Sequence, residues 1–383
     1  GFSRDASVPD ARHRDKAAYN ARDLVRGAAL DGVPLSTPAA HPMRTVRALR
    51  VYLGLDASWQ RLAMHALYDA YWVRGVDITR DDVIVGALAD AGIPDAALTR
   101  ALAYADSDAA KADLIARTDR AIEHGIFGAP AMRIVRDGQP AVLLWGQDRL
   151  GWLDAELSGW RLDHDRGHAD LVTPVPARTP AELCFHFDFA SPFAYLGATQ
   201  IDRLAARWQL PVRWNPVLLG AMFRRLGGPD VPLMTFPEAK RRYVGQDLQR
   251  WARWWNVEFS FPTQFPQRSV RALRVFIAAE RVDPHRARQF ALQVFAAMWA
   301  HGQSIEEDAV LAGCLQRAGL PPELVTRADD ADIKAALHAS TEAALTAGVF
   351  GVPTVELISD DRRDLFWGQD RFDALSRTLS ERT

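Results

Sequence analysis

The amino-acid sequence predicts an α/β protein built of two related domains, each with a helical insertion, the first of which lacks its N-terminal strand-helix-strand unit. Three observations predict this architecture. The chain repeats itself at a nearly constant offset, its second half alternates short apolar runs with segments of helical periodicity, and a polar stretch with three prolines separates the two copies. A chain of 383 residues is long enough for two domains, since single hydrophobic cores stop growing beyond about 250–300 residues.

The repeat consists of four pairs of matching segments in the same order. KAAYNARDLVRGA matches KRRYVGQDLQRWA and PMRTVRALRV matches PQRSVRALRV, both at an offset of 224 residues. HGIFGAP matches AGVFGVP and LLWGQDRL matches LFWGQDRF, at offsets of 223 and 222 that small loop insertions would produce. The pairs occupy residues 16–28 and 240–252, 42–51 and 266–275, 124–130 and 347–353, and 143–150 and 365–372. Agreement in both order and spacing indicates a tandem duplication.

The two copies are unequal in length. At the offset of 224, Gly1 corresponds to Arg225, so the first copy has no counterpart of residues 182–224. Its remaining strands would present an open apolar edge, and we expect the missing unit to lie upstream or to come from a partner chain. The expected domains are a truncated one over 1–160, a linker over 161–181 and a complete one over 182–383.

The composition excludes several classes of protein. The formal net charge of −2 gives no sign of a nucleic-acid partner, and no apolar run is long enough to span a membrane. Cys184 and Cys314 are too few and too far apart for a disulfide framework, a redox pair or a structural zinc site, which predicts a reducing, cytoplasmic location. His164 and His168 have an HxxxH spacing, but on a polar linker a solvated loop is favoured over a metal site. We therefore expect no bound metal.

The apolar pattern divides the second copy into elements. ELCFHFDF (182–189) has the length and composition of a central strand, and PVRWNPVLL (211–219) those of a second strand, with an amphipathic helix between them. A helical insertion follows over about 237–347. Strand character returns in PTVELIS (353–359) and LFW (365–367), and a last helix starts near Gln369-Asp370. This order, βαβ, helical insertion, ββα, is that of a thioredoxin fold, in which ligands bind at the carboxyl ends of the parallel strands.

One such end lies in FDFASPFAYLG (187–197), where Ser191 precedes Pro192 at the passage from strand to helix. From these residues alone two interpretations stay open. Ser191 can cap the helix with Pro192 in its first turn, or it can face a bound thiolate or another anion at the positive end of the helix dipole.

Five motifs of the second copy resemble one known family. FDFASPFAYLG, NPVLLGAMF, the Lys240/Tyr243/Asp247 segment, GVFGVPT and FWGQDR are similar to the 2-hydroxychromene-2-carboxylate isomerases, relatives of the kappa-class glutathione transferases within the DsbA-like thioredoxin superfamily. The resemblance covers residues 182–380 in full and 8–157 for the truncated copy. Five motifs in the right order at compatible spacing make it specific.

The resemblance implies glutathione as cofactor and a small aromatic ene-one carboxylate as substrate. It implies that Ser191 is the catalytic residue, lying beside the glutathione sulfur where redox relatives have Cys-x-x-Cys. Disulfide exchange has no nucleophile at this corner, because Ser191-Pro192-Phe193-Ala194 contains no thiol. A serine hydroxyl and a helix N-terminus would instead lower the pKa of a bound thiol.

The other glutathione contacts are implied in the same way. Pro353 matches the cis-proline of the superfamily, and the preceding Val352 can then pair its backbone with an extended peptide. The remaining implied contacts are Gln369 and Asp370 for the γ-glutamyl end, Lys240 for a carboxylate, and Asn215 for orienting glutathione or substrate.

Each assignment has a structural alternative. Pro353 can be an ordinary trans-proline, Asp370 a helix N-cap, Lys240 a solvated lysine and Asn215 a turn residue. A cation for the substrate carboxylate can be sought in Arg224 or Arg250. A tryptophan cluster at helical spacing is more typical of a core than of a substrate pocket; its members are Trp251, Trp254 and Trp255.

Three functions follow as hypotheses. The first is a 2-hydroxychromene-2-carboxylate isomerase, the second a kappa-like glutathione transferase or peroxidase, and the third a non-catalytic thioredoxin-like binding scaffold. The first copy retains Lys16, Ala129-Pro130, Gln147 and Asp148 but has no counterpart of Ser191, so only the second half is expected to carry a complete site. The duplication also predicts an internal pseudo-dimer.

Overall fold

The structure is a computed structural model that describes residues 11–159, 181–227, 229, 231–359 and 362–381. The predicted linker over 161–181, with His164 and His168, lies outside the described residues except for Ala181, which begins a strand. The chain forms two compact units, Gly1–Asp23 with Gly146–Thr383, and Leu24–Trp145. The first helix, α1 (Ala11–Leu30), runs across the boundary between them.

The unit Leu24–Trp145 consists of helices followed by a hairpin. The helices are α2 (Val46–Leu53), α3 (Ala57–Trp72), α4 (Asp81–Asp90), α5 (Asp95–Ala105) and α6 (Asp108–Glu123), and the strands are β1 (Ala131–Ile134) and β2 (Val142–Trp145). Aspartates in the first turns of α4, α5 and α6 suit the positive end of each helix. The Ser107 hydroxyl caps α6 by accepting a hydrogen bond of 3.1 Å from the Ala110 N–H. Fully buried side chains such as Val51, Ile84 and Leu88 form the core.

The hairpin of this unit is antiparallel, with Ala131 opposite Trp145. Among the described residues it forms a two-stranded sheet with no third strand beside it. Within residues 11–159 the first copy therefore contributes helices and this hairpin, which correspond to the part of the fold expected for it.

The larger unit contains the four-stranded sheet of the second copy. Its strands are β3 (Ala181–Phe187), β4 (Val212–Pro216), β5 (Thr354–Ser359) and β6 (Arg362–Trp367), in the order β4-β3-β5-β6. β3 and β4 are parallel and the other two pairings are antiparallel. Helix α8 (Pro192–Trp208) connects the parallel pair, which makes the predicted βαβ unit. The apolar run of β3 is buried because strands flank it on both sides.

Helices complete this unit on both sides of the chain's polar linker. Before the linker, the 3₁₀ turn Gln147–Arg149 leads into α7 (Leu150–Leu157). After β6, the equivalent turn Gln369–Arg371 leads into α15 (Phe372–Glu381), so the last α-helix begins slightly later than expected. The insertion contains α9 (Leu219–Arg225), α10 (Glu238–Trp254), α11 (Val270–Val282), α12 (Pro284–Trp299), α13 (Asp308–Arg317) and α14 (Ala331–Thr346).

Several boundaries differ from the sequence-based expectation. β3 ends at Phe187 rather than at residue 189, β5 starts at Thr354 rather than at Pro353, and the helical insertion begins with α9 rather than at about residue 237. The second strand, expected to reach Leu219, ends at Pro216, because Leu219 already begins α9. β6 starts at Arg362 rather than at Leu365. The fold is otherwise the expected βαβ unit, helical insertion and ββα unit. None of the described helices has the length and apolar character needed to cross a membrane.

Candidate functional site

The candidate site is centred on Ser191, where β3 passes into α8. Ser191 is 4% exposed, and its hydroxyl oxygen accepts a hydrogen bond of 3.1 Å from the Ala194 N–H. The same hydroxyl donates a hydrogen bond of 3.2 Å to the Val352 carbonyl oxygen. Ser191 is therefore a helix cap that also contacts the loop before β5.

That loop carries the proline expected to be cis, and the Val352–Pro353 peptide bond is cis. Val352 is 7% exposed. Within the described residues its N–H donates no hydrogen bond, whereas its carbonyl accepts the one from Ser191. Because buried backbone N–H groups nearly always have an acceptor, this N–H is suited to a bound peptide backbone or a water molecule.

The turn after β6 is hydrogen-bonded to the loop that precedes β5. The Gly368 N–H donates a hydrogen bond of 2.8 Å to the Pro353 carbonyl oxygen. Gly368 has a φ of 105°, and a Cβ atom there would lie 2.3 Å from Asp370 Oδ1, so the turn requires glycine. Gln369 is 2% exposed, and the Asp370 side chain is 21% exposed. The turn thus brings Gln369 and Asp370 next to the loop that contacts Ser191.

Asp370 belongs to an ion-pair network that the sequence did not predict. Arg149, from the first copy, is 5% exposed and lies with Nη2 2.9 Å from Asp247 Oδ2 and 3.2 Å from Asp370 Oδ2. Burial opposes the charged guanidinium, but Asp247, Asp370 and the neighbouring Asp148 outweigh it and raise the pKa of Arg149. The network is therefore charged and part of the folded structure.

A matching set of contacts surrounds Arg371, the counterpart of Arg149 in the repeat. Arg371 Nε lies 2.9 Å from Asp23 Oδ2, and its Nη1 lies 2.6 Å from Asp148 Oδ2. Asp23 and Asp148 are the counterparts of Asp247 and Asp370 at the offsets of the repeat. Each arginine of one copy thus binds two aspartates at equivalent positions of the other copy.

Residues of α1 also reach the second copy's motifs within this unit. The Trp367 N–H donates a hydrogen bond of 2.9 Å to the Tyr19 hydroxyl oxygen. The Tyr19 ring packs edge-on against Phe350 of GVFGVPT at a centroid distance of 5.5 Å. The Lys16 Nζ lies 5.2 Å from the centroid of the Trp367 ring. The first copy therefore supplies part of the surroundings of the candidate site.

Lys240 lies on α10 and is not the fully solvated lysine of the alternative interpretation. Its Nζ lies 4.2 Å from the centroid of the Phe236 ring. Partial burial lowers the pKa of Lys240 below its ordinary value of 10.5. A lysine held against an aromatic ring at reduced solvation is suited to pairing with an incoming carboxylate.

Asn215 makes its contacts on the sheet rather than at the Ser191 corner. It lies opposite His186 in the parallel register of β3 and β4, and its Nδ2 is 3.1 Å from His186 Nδ1. Arg213 Nη1 donates to its Oδ1 at 3.4 Å. The amide of Asn215 is thus engaged within the sheet, and its assignment to glutathione stays a prediction.

The two arginines considered for the substrate carboxylate differ in burial, and the tryptophans are packed against other side chains. Arg250 is 4% exposed and burial lowers its pKa, with partial compensation from Asp247, whereas Arg224 is exposed at the end of α9. The tryptophans pack on apolar partners: Trp251 lies 4.6 Å from Trp152 and 4.7 Å from Trp255 between ring centroids. This favours a packing role for the tryptophan cluster.

Asp188 is a supporting residue that sequence reasoning missed. It is 1% exposed, and its two carboxylate oxygens accept hydrogen bonds from the N–H groups of Ala190, at 2.9 Å, and Leu219, at 2.8 Å. Burial raises its pKa, against the opposing effect of these bonds and one from Ser269. An aspartate two residues before an alanine N–H is a local turn signal that could have identified it. Asp188 fixes the backbone from which Ser191 projects.

The fold defines a class of protein: a thioredoxin fold with a helical insertion. The chain belongs to the DSBA-like thioredoxin domain family, whose model matches residues 3–158 and again residues 182–380. The two matches correspond to the two copies of the repeat.

Known relatives in two groups align with about half of the chain. Glutathione S-transferase kappa 2 of Caenorhabditis elegans is 26% identical over 206 residues, which cover 51% of this chain and 91% of that protein. The 2-hydroxychromene-2-carboxylate isomerase of Pseudomonas putida is 27% identical over 196 residues, covering 51% and 92%. A solved structure of a 2-hydroxychromene-2-carboxylate isomerase is 26% identical with a TM-score of 0.44, over 52% of this chain and 94% of that one.

Proposed function

We propose that the chain is a glutathione-dependent isomerase of the 2-hydroxychromene-2-carboxylate isomerase type, with its complete site in the second half. The observation that carries the proposal is the contact between the Ser191 hydroxyl at the N-terminus of α8 and the Val352 carbonyl. It joins an anion-binding helix end to a backbone N–H that lacks an acceptor within the described residues. The relatives of both groups are enzymes, which supports a catalytic role for this chain.

The donors and acceptors of the site fit the functional groups of glutathione. The Ser191 hydroxyl and the N–H groups of α8 suit a thiolate, and the Val352 N–H suits the backbone of an extended peptide. Asp370 lies where two guanidiniums meet four carboxylates, and this excess of negative charge suits the ammonium group of the γ-glutamyl end. Lys240 suits a carboxylate.

In the proposed mechanism the protein positions and stabilises rather than forming a covalent bond itself. Glutathione, when bound, supplies a thiolate that adds reversibly to a conjugated ene-one and so permits rotation about the former double bond. Ser191 turns its hydroxyl hydrogen from the Val352 carbonyl to the sulfur, which lowers the pKa of the thiol. Ser191 keeps accepting from Ala194 N–H meanwhile, so the hydroxyl stays in place.

A kappa-like glutathione transferase is the second candidate, since the same thiolate site would serve another electrophile and a kappa-class enzyme is among the relatives. We further propose that the reciprocal ion pairs are the internal equivalent of a dimer contact, and that the protein acts in a reducing cytoplasm, where Cys184 and Cys314 stay thiols.

The proposal is tested by titrating the full chain with glutathione and by following benzylidenepyruvate isomerisation in the ultraviolet. We expect binding and isomerisation by the wild type, and loss of most of the rate in Ser191→Ala with glutathione still bound. Binding without isomerisation, but with conjugation of other electrophiles, would favour the transferase. A chain that does not bind glutathione would contradict both enzymatic functions and leave the binding scaffold.

A further inference from the structure

Three potential metal ligands meet on one face of the four-stranded sheet. Cys184, His186 and Glu356 are 0%, 3% and 2% exposed, and one ligand atom of each lies within 4.8 Å of the other two. Cys184 and His186 alternate along β3 and so project to the same face, while Glu356 pairs directly with Cys184 across β5. The proposed function uses none of the three.

The separation of two of these ligand atoms is compatible with a shared metal ion. His186 Nε2 and Glu356 Oε2 are 3.3 Å apart, the distance of a long hydrogen bond. Two ligands of a tetrahedral zinc ion at bond lengths of about 2.0–2.1 Å are separated by about 3.3–3.4 Å.

The outer atoms of both side chains are held by further residues. Asn215 Nδ2 lies 3.1 Å from His186 Nδ1, and Arg363 Nη1 donates to Glu356 Oε1 at 3.0 Å. Zinc binding at His186 Nε2 requires the Asn215 amide to turn, so that its oxygen accepts from Nδ1–H and the lone pair of Nε2 is free. The turn gives up the 3.4 Å hydrogen bond from Arg213 Nη1, while Arg213 Nε keeps Glu182 as its partner at 3.1 Å. Such outer partners orient ligands at metal centres, and here they leave Nε2 and Oε2 facing each other.

We propose that Cys184, His186 and Glu356 bind one Zn²⁺ ion, with water in the fourth position. The combination of a thiolate, an imidazole and a carboxylate is typical of zinc among the common divalent ions. On binding, the Cys184 thiol loses its proton to solvent and the sulfur forms a bond to zinc. No electron transfer is involved.

The charge balance of the site is favourable. A thiolate and a carboxylate neutralise the two positive charges of the ion, so no uncompensated charge is buried. Arg213 lies close enough to favour the thiolate.

The zinc ion would join β3 to β5 close to the candidate glutathione site. β3 leads to Ser191 and β5 follows Pro353, so a bond between these strands would stabilise both sides of the corner. The sequence led us to expect no metal, because its three ligands lie on two strands far apart in the chain and contain no CxxC or HxxxH pattern. Pairing of the strands is what brings them together.

The test uses the full chain without glutathione, refolded from urea after chelator treatment in the presence of Zn²⁺ or Co²⁺. We expect one metal ion per chain, about one proton released per ion, and a thiolate-to-cobalt charge-transfer band with Co²⁺. Cys184→Ala should lose the band and bind at least tenfold more weakly. Cys314→Ala is the matched control, since Cys314 is also a buried free thiol, and it should behave as wild type.

Circular dichroism of each variant establishes that it is folded, and sulfur coordination in the wild type is measured independently by X-ray absorption of the zinc-loaded protein. The proposal is overturned if the refolded wild type binds no stoichiometric metal, or if its zinc has no sulfur ligand. It is also overturned if folded Cys184→Ala keeps the cobalt band. Because glutathione is absent, none of these outcomes depends on the proposed isomerase.

Discussion

Arg149 of the first copy forms an ion pair of 3.2 Å with Asp370 of the second copy, in the motif expected to hold the γ-glutamyl end of glutathione. The same guanidinium is bound by Asp247 through two hydrogen bonds. The first copy therefore contributes an ion pair to the motif that the proposed function assigns to glutathione.

Removal of Arg149 should destabilise the larger unit strongly. Arg149→Met leaves the buried Asp247 without its guanidinium partner, whereas Asp370 keeps Arg371 at 3.6 Å, and we expect the loss to cost about 3–5 kcal/mol of the free energy of unfolding. Urea denaturation followed by tryptophan fluorescence measures this. The control is Arg80→Ala, whose ion pair with Asp82 is 63% exposed on the arginine side, so its loss should leave the free energy of unfolding nearly unchanged. Equal effects of the two substitutions would contradict the role of the network.

Substitution of the two capping serines distinguishes a loss of stability from a loss of catalytic function. Ser191→Ala and Ser107→Ala each remove a hydroxyl that accepts from a backbone N–H at 3.1 Å, and each should lose about 1 kcal/mol of stability. Only Ser191→Ala should raise the pKa of bound glutathione, by about 1–2, because a hydrogen bond to a charged group contributes about 1.5–3 kcal/mol. The thiolate absorbance of bound glutathione against pH gives this pKa. If the pKa of bound glutathione is unchanged in Ser191→Ala, Ser191 acts only as a helix cap.

Lys240 should make ligand binding decline at alkaline pH. Burial lowers its pKa from the ordinary 10.5, so its charge is complete below the lowered value and is lost as the pH rises through it. Affinity for a carboxylate follows the same direction. We expect the dissociation constant of S-methylglutathione, which has no free thiol, to rise with pH in the wild type and less steeply in Lys240→Arg, whose guanidinium stays charged. Calorimetric titration at several pH values measures the dissociation constant for each protein. If it rises equally steeply with pH in the wild type and in Lys240→Arg, Lys240 does not contact the ligand.

The glycine before each Gln-Asp motif provides a matched pair of substitutions. A Cβ atom at Gly368 would lie 2.3 Å from Asp370 Oδ1, and one at Gly146 would lie 2.3 Å from Asp148 Oδ1, with φ values of 105° and 107°. Each alanine variant should lose about 1–3 kcal/mol of stability from backbone strain. Gly368→Ala, which displaces Asp370, should weaken glutathione binding about tenfold or more, and Gly146→Ala much less. Similar losses of affinity would show that Asp370 does not contact the ligand.

Local patterns predicted most of the elements. The Ser-Pro pair at the start of α8 is encoded within two residues, whereas the cis Val352–Pro353 bond was expected from the family resemblance. The end of β4 was predicted too late because Leu219 N–H donates to Asp188, 31 residues away, and so begins a helix. Arg149 could not be recognised, since its partners Asp247 and Asp370 are 98 and 221 residues distant. The ligands of the proposed zinc site were missed for the same reason.

The hydrogen bond between Tyr19 and Trp367 and the ion pair between Asp23 and Arg371 each span 348 residues. At a synthesis rate of about 5–20 residues per second, α1 leaves the ribosome roughly 20–70 s before its partners exist. Throughout that time Tyr19, which is 2% exposed in the folded unit, has no native surface to cover it. The larger unit therefore completes its folding only after residues up to Arg371 have been made, and nascent chains are expected to need protection from association until then.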